Sequence, residues 1–591
     1  MGAIPHEGGV AFRVWAPHAD AVAVVGSFND WSPDAHAMTH EADGYWYADI
    51  DGVKVGDEYR YHIVNGEQTL SRIDPYAREV TNSVGNSVVH DPHFDWGDDV
   101  PAMPAWNEAV IYELHIGTFG RAPGDEGDTP AGFQDAVHRF DHLRRLGVNV
   151  LQVMPASEFA GDVSWGYNPA HIFAIESAYG GPDAFKHFVR EAHKAGFAVV
   201  LDVVYNHFGP SDLDLWQFDG WSEHGMGGIY FYNDWRASTP WGDTRPDYGR
   251  REVRQFIRDN AMMWLEDYHV DGLRLDMTLY VRSVHADGTG DLPDGWSLMQ
   301  EVNREIQERF PGRITIAEDL QNSEWLTKDV GAGGAGFSAQ WDANFVHPVR
   351  AAVIVSGDEH RSMHVVHAAI THGYNGDAFQ RVVYSESHDE VANGKARVPS
   401  EIHADDPEHW FALKRSTLAA ALVFTVPGIP MLFQGQEFLQ GGWFQDTVPL
   451  DWDKTEDYRG ILRLYRDLVH LRRNLRGTTR GLTGHGLLTY HVNDADNFVA
   501  FQRWADHGPG DDVVVLANFA NAIKEDYQVG FPMTGDWHVR LNSTWRGYHP
   551  DFTDVGGSVV TAVEGDYDGL PASGRVEIGP YSVLVLSQEP A

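Results

Sequence analysis

The chain has 591 residues, 43% hydrophobic and 22% charged, which fits three or four globular units and excludes a disordered or peptide-sized protein. Its 86 acidic residues against 44 basic leave a formal charge of −42, a surface that repels phosphate backbones and anionic membranes and argues against either as a partner. There is no cysteine, so a disulfide framework, a thiolate metal site and a thiol nucleophile are all excluded.

Residues 1–98 alternate apolar and polar in short runs (VAFRVWA, AVAVVGSF, YWYADI, EYRYHIV) broken by Gly, Pro, Asn and Asp, the pattern of an N-terminal antiparallel β-sandwich. The N-terminus lacks the basic and then apolar regions of a signal peptide. The most apolar run, Leu418 to Phe433, carries Pro427 and Pro430, so the expectation is a soluble, cytoplasmic protein.

From the linker PAMPAW onward, residues 99–480 alternate apolar strands with amphipathic helices. Phe133, Val137, Phe140 and Leu143 stand at helical spacing, Gly147 sits where a glycine cap belongs, and VNVLQVMP follows as a buried strand. Next, Pro182 marks a helix start, Phe185, Phe188, Val189 and Ala192 its apolar face and Gly196 its end, before FAVVLDVVYNH. Val253, Phe256, Ile257, Trp264, Leu265 and Tyr268 line a third helix ahead of VDGLRLDM, and ITIAEDL and RVVYSES continue the series. This alternation predicts an α/β fold and favours a (β/α)8 TIM barrel with insertions over an open doubly wound sheet. Residues 481–591 return to period-two alternation (LLTYHV, NFVAFQRWA, DVVVLANFA, SVLVLSQ), a C-terminal β-sandwich domain.

A barrel gathers its function at the C-terminal ends of its strands, and four strands here finish in polar residues. They supply Asp202, Asn206 and His207; Arg274 and Asp276, two apart and therefore on one face; Glu318; and His388 with Asp389. Arginine beside a carboxylate favours the ionised form and suits a nucleophile, whereas a glutamate against apolar walls and other carboxylates is pushed toward the protonated form of a general acid. Several carboxylates without a Ser/His/Asp spacing or a thiol point to acid catalysis on an acetal, as in glycoside cleavage.

Gly331, Gly333 and Gly336 match a dinucleotide-binding GxGxxG, but no apolar strand precedes them, so a loop is expected. The histidines show no metal-ligand spacing, acidic turns such as Asp291 to Asp294 read as solvated, and no cofactor or metal is expected.

In order and spacing, DVVYNH, GLRLDM, IAEDL and SESHDE resemble the four strand-end motifs of the α-amylase superfamily, glycoside hydrolase family 13. The resemblance implies Asp276 as catalytic nucleophile, Glu318 as general acid/base and Asp389 as a third carboxylate gripping the sugar. It implies Arg274, His207 and His388 as sugar-binding residues, Tyr167 of WGY as a stacking aromatic and Asp202 as a supporting carboxylate. FRVWAPHADAVAVVGSFNDW resembles the glycogen-binding-type module that precedes such barrels, and SHDEV followed by GK resembles the branching-enzyme form. These features imply a retaining 1,4-α-glucan branching enzyme acting on amylose-, starch- or glycogen-like chains. DVVYNHFGP and AYGGPDAFK are closer to maltooligosyltrehalose trehalohydrolases, leaving hydrolysis as the alternative. The intact carboxylate set argues against a third alternative, a catalytically silent glycan-binding protein.

Overall fold

The computed structural model describes residues 1–121 and 129–590. Eight parallel strands close into a barrel in chain order: β1 (Ile111–Leu114), β2 (Val150–Val153), β3 (Ala198–Val203), β4 (Gly272–Leu275), β5 (Ile314–Ala317), β6 (Ala339–Trp341), β7 (Arg381–Val383) and β8 (Ile429–Phe433), with β8 pairing back onto β1. Ile111, Val150, Val200, Ile316, Trp341 and Met431 belong to the apolar cluster that fills its interior. Alternate residues, Leu151, Val199, Leu201 and Leu273 among them, join the larger cluster shared with the helices.

The helix signals act as the local chemistry requires. Helix Gly181–Ala195 begins with Pro182 and ends at Gly196, whose φ of 85° allows its N–H to bond the Ala192 and His193 carbonyls. Gly147, at φ 99°, closes helix Phe140–Leu146 in the same way. The spacing from Phe133 to Leu143 belongs to two helices, Phe133–Val137 and Phe140–Leu146, and not to one. The break turns both Phe133 and Phe140 toward Phe188, with ring centroids 5.8 and 5.4 Å away. The apolar run from Leu418 divides between helix Trp410–Thr425 and β8, and no helix among the described residues is long and apolar enough to cross a membrane. The GxGxxG segment is a loop with a single 3-10 turn, Val330–Ala332.

The N-terminal strands form two antiparallel sheets, which the insertion after β3 ties to the barrel. Asp214 accepts from Arg60 Nη2 and the Ile73 N–H at 2.7 Å each, and Arg72 donates to the Phe218 carbonyl at 3.0 Å. At the other end, eight strands from Gly486–Asn493 to Ser582–Ser587 form one continuous path. Strand Val559–Tyr567 pairs with Gly535–Asn542 through its first half and with Leu570–Ile578 through its second, so the sheet turns over on a core that includes Phe531, Trp537 and Ile578. Arg503, fully buried, donates to the carbonyls of Thr425 and Gly484 at 2.8 and 2.7 Å and locks this domain to the barrel.

Candidate active site

The alternation that fills the barrel floor with apolar side chains continues upward into polar ones. Ile111 is followed two residues later by Glu113, Val200 by Asp202, Gly272 by Arg274 and then Asp276, and Ile316 by Glu318. Strand register sets their heights. Asp202 pairs with Arg274, and Leu275 with Ala317. The ladder runs one residue further, with Asp276 N–H donating to the Val203 carbonyl at 3.0 Å and Glu318 N–H to that of Leu275 at 3.1 Å. Asp276 and Glu318 therefore stand side by side on neighbouring strands, which lie about 4.8 Å apart.

One guanidinium links three carboxylates. Arg274 Nη1 lies 2.6 Å from Asp202 Oδ2 and 3.0 Å from Asp276 Oδ1, and Nη2 lies 2.7 Å from Glu318 Oε2. Burial opposes the charge on Arg274, but Asp202, Glu318 and Asp276 more than reverse that and hold its pKa well above the ordinary value. Trp341, at the end of β6, lies under the guanidinium with its centroid 4.4 Å from Cζ. The second Asp276 oxygen, Oδ2, accepts from Asn206 Nδ2 at 2.7 Å, so both oxygens of this carboxylate are fixed. Asp202 accepts from Tyr167 Oη at 2.6 Å, and burial pushes its carboxyl up to about 7 against the pull of Arg274.

Glu318 is almost wholly buried. Burial raises its pKa well above the carboxylate range, Arg274 opposes this, and Asp276 and Asp389 add to it. Its Oε2 faces Arg274 and accepts the Met277 N–H at 3.1 Å, whereas Oε1 has no hydrogen-bond partner among the described residues. Met277 holds a left-handed backbone, φ 36° and ψ 57°, which costs about 1–3 kcal/mol in a non-glycine residue and brings its N–H to Glu318.

His388 stacks on Tyr167, centroids 4.8 Å apart, and its Nδ1 lies 2.8 Å from Glu113 Oε1. Burial alone would lower its pKa; Glu113 and then Asp389 reverse this and bring it to about 9, so the ring is cationic at neutral pH. His207 is the opposite case. Burial lowers it to about 4, its Nδ1 bonds the Asn206 amide, its Nε2 has no hydrogen-bond partner among the described residues, and it stacks on Trp241 at 4.5 Å. Asp389, with a side chain 42% exposed, is bound by Asn393 Nδ2 at 3.2 Å and lies 3.8 Å from His388 Nε2. The structure thus gathers all nine residues singled out by the sequence, Asn206 included. Asp202, Arg274, Asp276, Glu318 and Tyr167 form one bonded cluster, His388 links to it through Tyr167, Asp389 lies beside His388, and His207 joins it through Asn206.

Sequence reasoning missed Glu113, Trp341 and Trp241. Glu113 carries a readable signal, being a carboxylate inside the apolar run AVIYELHIGTF that must find a buried partner. Trp241 is 37% exposed in an insertion without periodicity and has no such signal.

The His388 environment predicts a pH effect. Glu113→Gln removes the charge that keeps the imidazole protonated, so burial prevails and its pKa falls. The alkaline limb of kcat/KM should move to lower pH by about 1–3 units. Superimposable pH profiles for wild type and variant would remove His388 from that limb.

Among known proteins, residues 1–77 match the model of carbohydrate-binding module 48, the isoamylase N-terminal domain. Residues 121–223 and 244–468 match the alpha amylase catalytic domain, and residues 490–589 the alpha amylase C-terminal all-beta domain. A 1,4-alpha-glucan branching enzyme of Mesorhizobium japonicum is 32% identical over 99% of this chain and 80% of its own length, and one of Corynebacterium jeikeium is 30% identical over 98% and 82%. The pullulanase of an Anoxybacillus species, solved with maltotetraose, superposes with a TM-score of 0.77 at 23% identity, covering 100% of this chain and 87% of that one. A putative alpha amylase of Salmonella typhimurium superposes at 0.73 with 23% identity and 99% coverage of both chains. The chain belongs to the α-amylase family, glycoside hydrolase family 13.

Proposed function

We propose that this protein is a 1,4-α-glucan branching enzyme that works by retaining double displacement, and the observation that carries the reading is the pair Asp276 and Glu318 on adjacent strands under one guanidinium. A retaining pair needs carboxyls about 5 Å apart, the scale of the strand spacing here, whereas an inverting pair leaves a wider gap for water. The near full-length likeness to branching enzymes supports the choice of reaction.

The hydrogen bonds assign the proton. Oε2 of Glu318 accepts the Met277 N–H and lies 2.7 Å from the positively charged Arg274 Nη2, so the acidic proton belongs on Oε1, which has no hydrogen-bond partner among the described residues. From there it passes to the glycosidic oxygen as the C1–O4 bond breaks, while Asp276 bonds to the anomeric carbon. Glu318, now ionised, takes the proton of an incoming glucan 6-hydroxyl, whose oxygen displaces Asp276 and closes the α-1,6 bond. Tyr167 offers its ring face to the sugar, neutral His207 and cationic His388 its hydroxyl partners, and Asp389 the third carboxylate. Asp202 holds Arg274 and Tyr167 in place.

Transfer differs from hydrolysis only in the acceptor, so the product decides. Incubation with amylose should lower iodine colour with few new reducing ends and with new isoamylase-sensitive branches. Reducing ends rising in step with the loss of colour, or trehalose released from maltooligosyl trehalose, would replace this reading with hydrolysis.

A further inference from the structure

We propose that the cleft between helix Arg459–Arg472 and the C-terminal sheet binds a small organic phosphate, a phosphate ester that carries a ring. The cleft has a volume of about 550 Å³, within the span of roughly 300–1,000 Å³ usual for small-ligand sites, and none of the active-site side chains lines it. Four arginines do: Arg463, Arg466, Arg476 and Arg540. In a chain with almost twice as many acidic as basic residues, this reverses the sign of the surface locally.

Carboxylates compensate two of the four: Asp467 pairs with Arg476 and Glu589 with Arg540, which leaves Arg463 and Arg466 as the uncompensated pair among the described residues. Asp467 accepts from Tyr548 Oη at 2.9 Å and from Arg476 at 3.3 Å, and Asp554 accepts the Arg546 N–H at 3.4 Å. Arg540 is anchored by Ser587 Oγ and Glu589, each at 2.8 Å. Arg463 and Arg466 have no carboxylate within ion-pair distance among the described residues and extend into solvent. The field of the cluster is felt at His470, whose proton affinity is lowered first by burial and then by Arg476 and Arg466.

Guanidinium forks match phosphate oxygens in pairs, which fits a phosphate better than a neutral glucan. Trp545, 42% exposed and with its ring 6.0 Å from the Arg463 Cζ, supplies a flat face for a ring attached to that phosphate. The charge of −42 over the whole chain keeps long polyanions away, so the ligand is small.

Calorimetric titration of the full chain with ADP, glucose 6-phosphate and inorganic phosphate tests this. Saturable binding of at least one ester, tighter than that of inorganic phosphate and weakened by added salt, is the expected result. The double variant Arg463→Ala/Arg466→Ala should lose about 10-fold or more in affinity for the ester, and Trp545→Ala should weaken the ester but not inorganic phosphate. Preference for ADP or for glucose 6-phosphate tells whether the ring is a nucleoside or a sugar. Should the double variant fold poorly, Arg466→Gln alone makes the same test on one exposed side chain, with amylose conversion unchanged as the check on the fold. Absence of saturable binding at millimolar concentration, equal binding of ester and inorganic phosphate, or affinity indifferent to the arginine variants overturns the proposal.

Discussion

Asp276→Asn should lower turnover of amylose by about 10⁴-fold or more while leaving the fold in place. The side chain keeps its shape but no longer offers an anion to the anomeric carbon, so the first bond of the double displacement cannot form. The structural cost is small. Asp276 accepts from Arg274 at 3.0 Å and from Asn206 at 2.7 Å, and an amide can accept from only one of these, a loss of about 1–3 kcal/mol. The substitution also removes one of the charges that raise Glu318, so the acid should become stronger even as catalysis stops. Asp276→Gly with added azide separates nucleophile from bystander. Azide entering the space of the lost carboxylate attacks C1 as Glu318 protonates the leaving oxygen, giving a glycosyl azide of inverted configuration. Residual activity of the asparagine variant above about 1% of wild type would take Asp276 out of the nucleophile role.

What the sequence makes legible follows from how much of each feature is local. Much of the barrel is readable because β2 to β5, β7 and the helices ahead of β2, β3 and β4 declare themselves within about 15 residues, through Gly147 and Gly196 at helix ends and Phe185, Phe188 and Val189 on one helix face, whereas the three-residue β6 carries no such pattern. Asp202, Arg274, Asp276 and Glu318 are readable because each closes an apolar run, and period-two alternation alone gives Arg274 and Asp276 a common face. The two short helices around Phe133 and Phe140 show the limit of such reasoning. Side-chain periodicity passes through a break in the backbone that the packing against Phe188 accommodates. The remaining parts of the site are relations between distant positions. Glu113 charges His388 across 275 residues of sequence, Trp341 lies beneath Arg274, and Trp241 reaches His207 from within an insertion. No local pattern encodes these meetings; barrel closure produces them.

Arg274→Met should abolish activity and also destabilise the barrel, by an amount that grows with pH. The guanidinium is fully buried and touches Asp202, Asp276 and Glu318, so its removal leaves several buried carboxyls without their counter-ion. Removing one partner from a buried ion pair costs about 3–5 kcal/mol when the remaining charge cannot be neutralised. Here protonation can neutralise it. Asp202 already titrates near 7, with Arg274 the main influence opposing burial, and Glu318 is raised in the same sense. Without the arginine both rise further above their unfolded values near 4. The folded variant then binds more protons than the unfolded chain throughout the interval between the two sets of values, and stability falls as pH increases across it. The deficit relative to wild type should therefore be small near pH 4, where protonated carboxyls need no counter-ion, and largest at pH 8. Thermal unfolding of both proteins at pH 4, 6 and 8 measures it directly. A Tm difference that stays constant with pH would mean that Arg274 supports the barrel through packing on Trp341 and not through charge. Arg274→Lys refines the result. A lysine restores one positive charge without the fork that reaches Asp276 and Glu318 together, so stability at pH 8 should recover more than activity does.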